Sequence, residues 1–169
     1  SEQALAKRLS TIEWPRETDV SFEFGPHQTC LTLDVDLPEL EALPTLKYGM
    51  PKRQWRILTK EFSTTEQQDN YARHVHAVVF RLLGEVFACL PRVTEVRVAG
   101  YTQRIDPATA VVRDDYVIAV VAARADWEAI DFGNLAALDP VKALERFGLT
   151  REMSARGALA RIGEPDWTR

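Results

Sequence analysis

Between Thr64 and Leu90 apolar residues recur every three or four positions, at Tyr71, Val75, Val78, Val79, Leu82, Leu83, Val86, Phe87 and Leu90. That spacing lines one stripe of an α-helix. A strand cannot use it, because successive strand side chains point to opposite faces. At about 1.5 Å per residue the helix is about 40 Å long, enough to cross a whole sheet. Thr64 with Gln67, or Thr65 with Gln68, offers a capping box at its start, and Pro91 ends it. So wide an apolar stripe needs a partner surface of similar length.

Stretches of period two supply one. Val20, Phe22 and Phe24 alternate with Ser21 and Glu23, and Leu31, Leu33, Val35 and Leu37 alternate with Thr32, Asp34 and Asp36. The turn formers Gly25-Pro26-His27-Gln28-Thr29 between them predict an antiparallel hairpin. A second hairpin is expected from Val96 and Val98 to the run from Tyr116 to Ala123, with a turn at Asp106-Pro107-Ala108-Thr109. Every residue from Tyr116 to Ala123 is apolar, so both faces of that strand require cover. One face carries Tyr116, Ile118, Val120 and Ala122 and the other Val117, Ala119, Val121 and Ala123, and the long helix can cover one of them. The helices at 2 to 12 and 140 to 147, or a second copy in a symmetric dimer, are the candidates for the other.

The first of those short helices carries Leu5, Leu9 and Ile12 on one face. The last is capped by Asp139, has Pro140 at its first position and ends before Gly148. Residues 45 to 62 show no settled period, and a strand at Trp55-Arg56-Ile57-Leu58 is the best reading of them. Residues 151 to 169 read as a tail that drapes over the body or moves freely. The expected fold is therefore a single α+β domain over 1 to 150, in the order α-ββ-α-ββ-α: an antiparallel sheet of two hairpins with a long amphipathic helix across one face. The chain opens Ser1-Glu2-Gln3 without Met, as a piece of a longer protein would.

With 46% hydrophobic and 27% charged residues in 169, the chain has the make-up of a folding domain. A formal charge of −4 provides no overall positive field for nucleic acid or an anionic membrane. No apolar run is long enough to cross a bilayer. Cys30 and Cys89 form no Cys-x-x-Cys pair and are expected to be buried thiols in a cytoplasmic protein.

Reactive constellations are sparse. Asp34, Asp36, Glu39 and Glu41 supply oxygen atoms, but alternation places Asp34 and Asp36 on a solvated face. A restriction-endonuclease-like site wants Glu-x-Lys on the following strand. None occurs, and the apolar strand ends in Ala122-Ala123-Arg124. His74 and His76, two apart on a helix, are turned about 200° from each other, too far to grip one metal, and read as polar helix histidines. No serine lies in a Gly-x-Ser-x-Gly elbow, and neither Gly-rich phosphate motif appears. No catalytic residue, metal site or cofactor is expected. The segment 47 to 60 has a binding flavour: Lys47, Lys52, Arg53, Arg56 and Lys60 accompany Tyr48 and Trp55 with no acidic residue. Cations among aromatics grip phosphates and stack on bases. A solvated loop pinned to the core by its Trp has the same composition, and this is the favoured reading.

The runs Tyr71-Ala72-Arg73-His74-Val75-His76, Phe80-Arg81-Leu82-Leu83-Gly84-Glu85-Val86-Phe87 and Gly100-Tyr101-Thr102-Gln103-Arg104-Ile105-Asp106-Pro107-Ala108-Thr109 resemble the C-terminal portion of uncharacterised bacterial proteins that begin with a small glycine-rich domain of unknown function. Asp139-Pro140-Val141-Lys142-Ala143-Leu144-Glu145-Arg146-Phe147 extends the likeness over roughly 18 to 150, and Ala110 stands where the pattern carries Gly. The resemblance implies an accessory domain of a larger chain and brings no catalytic residues. The expected function is a non-enzymatic binding or assembly module with a protein partner or self-association, and no membrane. The alternative is a nucleic-acid-associated or degenerate nuclease-like domain using 47 to 60.

Overall fold

The computed structural model describes residues 1 to 52 and 55 to 168. Its architecture is α+β, a mostly antiparallel sheet with one long helix laid along a face. Helix α1 (Glu2–Ser10) leads into β1 (Asp19–Phe24) and β2 (Cys30–Asp36), which pair antiparallel with Phe22 opposite Leu33. A small hairpin follows, β3 (Leu46–Gly49) and β4 (Leu58–Glu61), and then α2 (Thr64–Cys89). Strands β5 (Glu95–Ile105) and β6 (Val112–Ala123), short helices α3 (Arg124–Glu128) and α4 (Pro140–Leu144), β7 (Gly148–Thr150), and the pair β8 (Glu152–Met153) and β9 (Leu159–Ala160) complete the order.

The main sheet runs β1-β2-β5-β6-β7. Its central seam corrects the expectation of an all-antiparallel sheet, because β2 and β5 pair parallel, Leu31 with Val96 and Leu33 with Val98. The reason is α2, which carries the chain the full length of the sheet between the two strands. A connection that returns the chain to its starting end makes the next strand parallel. Leu31, Leu33, Val35, Val96, Val98, Ile118, Val120 and Ala122 of the sheet share one buried core with Val75, Val79, Leu82, Leu83 and Val86 of α2. The capping box is Ser63 with Glu66, one residue before the expected Thr64 and Gln67: Ser63 N–H donates to Glu66 Oε2 at 2.8 Å and Glu66 N–H to Ser63 Oγ at 3.3 Å.

Strict alternation fails in β6. A β-bulge lies opposite Gly100 and Tyr101, so Gly100 pairs with Ile118 while Tyr101 pairs with Tyr116, and Val117 is the extra residue. Tyr116 thereby turns to the outer face with Ala99 and Ala119, and Val117 joins the helix-side core. Neither short helix covers that outer face. The C-terminal segment does: Ile162 packs on Ala99, Tyr116 and Ala119, its N–H donates to Tyr116 O at 2.8 Å, and Trp167 lies alongside. Gly157, at φ 80°, lets the segment pass α2, where a Cβ would stand 3.1 Å from Asp69 Cα. Asp139 caps α4 through Val141 N–H at 2.9 Å, but the helix closes at Leu144 and Gly148 opens β7 opposite Val121.

Candidate interaction surface

Strands β3 and β4 pair only with each other, Leu46 with Glu61, Lys47 with Lys60, Tyr48 with Thr59 and Gly49 with Leu58. The hairpin is fastened at its base. Phe62 N–H donates to Thr45 O at 2.8 Å, and Lys47 Nζ bonds Glu66 while lying 5.4 Å from the Phe62 ring centroid. Glu66 thus serves the helix cap and the hairpin together. The hydrogen bond from Lys47, then those from Ser63, lower its carboxyl pKa to about 2. Lys60, directly across from Lys47, is exposed, and like charges at paired positions weaken an isolated hairpin.

What this hairpin presents is apolar. Of eleven large hydrophobic side chains left exposed among the described residues, six belong to it: Leu46, Tyr48, Met50, Trp55, Ile57 and Leu58. Such concentration is unusual, since single exposed apolar groups are ordinary and clusters are not. The expectation that Trp55 anchors a loop to the core is corrected: the side chain is fully exposed, and Tyr48, Met50 and Ile57 are each about 70% exposed. Nor does a strand run from Trp55 to Leu58, since β4 begins at Leu58. Of the basic residues, Lys47 is held half-buried by Glu66, Lys52, Arg56 and Lys60 are exposed, and Arg53 lies outside the described residues. Three more exposed apolar residues, Ile105, Val111 and Val112, sit at the tip of the β5–β6 hairpin. That tip is at the same end of the sheet, because β5 runs parallel to β2 and finishes where α2 begins.

Several polar groups inside the fold have structural partners, while Thr102 Oγ1 and His74 Nε2 are buried without a hydrogen bond. His76 is fully buried: Nδ1 donates to Ala72 O at 2.5 Å, which leaves Nε2 to accept from Arg151, a donor only. Burial, opposed by the Ala72 bond and reinforced by Arg151, lowers its pKa. Arg151 also pairs with Glu145 at 2.5 Å. Arg124, at the position where a nuclease reading wants its cation, donates to Val93 O at 2.8 Å, Phe87 O at 3.1 Å and Leu90 O at 2.7 Å. It closes the carboxyl end of α2, where helix carbonyls lack partners. A cavity of about 470 Å³ lies beside it, lined by Gly84, Phe87, Trp127 and Phe132. The guanidinium is engaged, and the other charged group of the lining, Glu128, pairs with it at 3.5 Å.

Asp34 and Asp36 are only partly solvated. Both are half-buried on the outer face, and Asp34 Oδ2 accepts from Tyr116 O–H at 3.1 Å. Burial, with Asp114 and Glu164 adding to it against the Tyr116 bond, pushes the Asp34 carboxyl up, and burial with Asp114, Asp19 and Glu17 does the same for Asp36. Tyr101 is raised to about 12 by burial and by the carboxylates around it. No group of three His, Cys, Asp or Glu residues suited to a metal ion occurs among the described residues. Cys30 and Cys89 are free thiols, each half-buried. No helix among the described residues is long and apolar enough to cross a membrane.

The apolar half of this surface escapes a sequence reading. Leu46, Met50, Ile57 and Leu58 follow neither period, and the signal that was present is the bracketing by Pro44, Gly49 and Pro51, which keeps them off any core-facing element. No family model, curated protein or solved structure matches the chain.

Proposed function

We propose that the chain is a non-enzymatic binding and assembly module of a larger bacterial protein in the cytoplasm, and that the β3–β4 hairpin is the element that docks. The observation carrying this reading is the set of six exposed apolar side chains on a hairpin that pairs with nothing else. Exposed apolar area of this kind is stabilised when a partner removes it from water. The engagement of His76, Arg124 and Asp34 in bonds within the fold supports a role without catalysis. Two free cysteines suit a reducing compartment.

The alternative, a nucleic-acid-associated domain, draws on the exposure of Lys52, Trp55, Arg56 and Lys60. Aliphatic Leu46, Met50, Ile57 and Leu58 favour protein, since they offer nothing to phosphate or to a base plane. One experiment separates them: affinity capture from the native cell with the wild-type chain and with Met50→Ser/Ile57→Ser as baits, beside a titration of single-stranded DNA and RNA at about 0.15 M ionic strength. Proteins retained by the wild type and lost with the variant are expected. Micromolar, salt-sensitive nucleic-acid binding without such proteins would replace this reading by the alternative.

A further inference from the structure

We propose that the hairpin's partner is a second copy of this chain, and that it docks on the exposed edge of β1. This rests on the reading above and names its occupant. Charge makes the case first. Residues 46 to 60 hold Lys47, Lys52, Arg53, Arg56 and Lys60 and no acid, a charge of +5, so in a chain of −4 the remainder carries −9. With Lys47 neutralised by Glu66, two hairpins packed on each other would still oppose exposed cations such as Lys52, Arg56 and Lys60 to one another, whereas each meets an acidic body in the other copy.

Within that body the β1 edge fits best. Strand β1 pairs on one side only, with β2, so a row of its backbone N–H and C=O groups is open to another strand. None of its six residues is buried, and β6, in mid-sheet, contrasts with it by burying most of its length. Beside it, between α1 and β1, lies a groove of about 340 Å³ with Leu9, Ile12, Trp14, Val20 and Phe22 along it. Glu17, Asp19 and Glu23 are exposed on or next to the strand, and none of them makes an ion pair among the described residues. The hairpin brings what this edge lacks: an open strand edge of its own, apolar side chains for the groove and cations for the carboxylates. Addition of a strand to an open sheet edge is an established mode of recognition. Because the contact joins two different surfaces, two copies related by a twofold axis make it twice.

The test is mass by light scattering at tens of micromolar, with charge reversal in both surfaces. Wild type is expected at about 38 kDa, twice 19.1 kDa. Lys52→Glu/Arg56→Glu alone and Glu17→Lys/Asp19→Lys alone should each run at about 19 kDa, because each then opposes like charges. Mixed in equal amounts they should recover about 38 kDa, since the reversed hairpin meets the reversed edge and the two native surfaces meet each other. All four positions are exposed, so unchanged circular dichroism and melting verify that the variants fold. Tyr48→Ser/Ile57→Ser, which alters no charge, should dissociate the dimer as well. A wild type at 19 kDa overturns the proposal, and so does a mixture that stays monomeric. If the wild type is monomeric yet still captures proteins through the hairpin, self-docking falls and the binding role stands. If Met50→Ser/Ile57→Ser changes neither mass nor capture, both fall.

Discussion

Two stretches of the chain carry apolar residues with no clear period, 46 to 58 and 151 to 168, and the fold treats them in opposite ways. The first forms regular strands and leaves its large side chains in water. The second has only the two-residue strands β8 and β9, yet seats Ile162 and Trp167 on the outer face of the sheet and sends Arg151 to the buried His76. Regular hydrogen bonding is therefore no guide to what closes this core. A segment stabilises the fold by the apolar area and the polar partners it removes from water, and the irregular one removes more.

Ending the chain after Thr150 should break the comparison most severely. It uncovers Ala99, Tyr116 and Ala119 and strips His76 of Arg151, and several such losses together put the expected destabilisation above about 4 kcal/mol. Urea denaturation checks it, and a truncated chain within 1 kcal/mol of the intact one, on the order of a single surface change, would reduce the segment to decoration. Ile162→Ala isolates the apolar part of that effect. A loss of about 2 kcal/mol is expected, at the low end for a buried Ile because its neighbours Ala99 and Ala119 are small.

Acid should produce a smaller loss through the same segment. Burial holds the folded pKa of His76 below its ordinary value, with Arg151 acting in the same sense and Glu145 and Asp139 against it. The unfolded chain therefore takes up the proton first. Its contribution is fully present above about pH 6.5 and is lost as pH falls below that value. Melting temperature followed from about pH 7 to 5.5, above the carboxylate range, should decline for the wild type and stay flatter for His76→Gln. Parallel profiles would remove His76 from the account.

Two changes at the exposed end should be small. Ala110 has φ 58°, a left-handed conformation that costs an alanine and suits a glycine, so Ala110→Gly is expected to stabilise by about 0.5 to 1 kcal/mol. A destabilisation would show that the turn at Asp106 tolerates alanine without strain. Smallest of all, Trp55→Ser with Ile57→Ser should change the stability of the monomer by less than about 0.5 kcal/mol, since neither side chain is covered. A cost near 2 kcal/mol, the size of a core truncation, would place the hairpin inside the fold after all.

Much of the framework was legible because it is local. The stripe from Tyr71 to Phe87, the alternation of Val20 to Phe24 and Leu31 to Val35, the Asp139 cap and the turn at Asp106 follow from backbone periods and nearby donors, and residues a few positions apart determine those. Little of the candidate surface was. Lys47, Lys52, Trp55, Arg56 and Lys60 stood out by composition, but not the hairpin that carries them or the exposure of Trp55. By itself the sequence determined the long helix, the main strands β1, β2, β5 and β6 and the need of their apolar faces for cover. Only the tertiary structure decided that β2 and β5 run parallel, that a bulge turns Tyr116 outward, that Ile162 covers the sheet, and that the buried His76 and the half-buried Arg124 bond to distant groups. Each of these joins residues tens of positions apart. Apolar burial is non-directional, so a pattern states that a face needs cover, and only the packed chain selects what covers it.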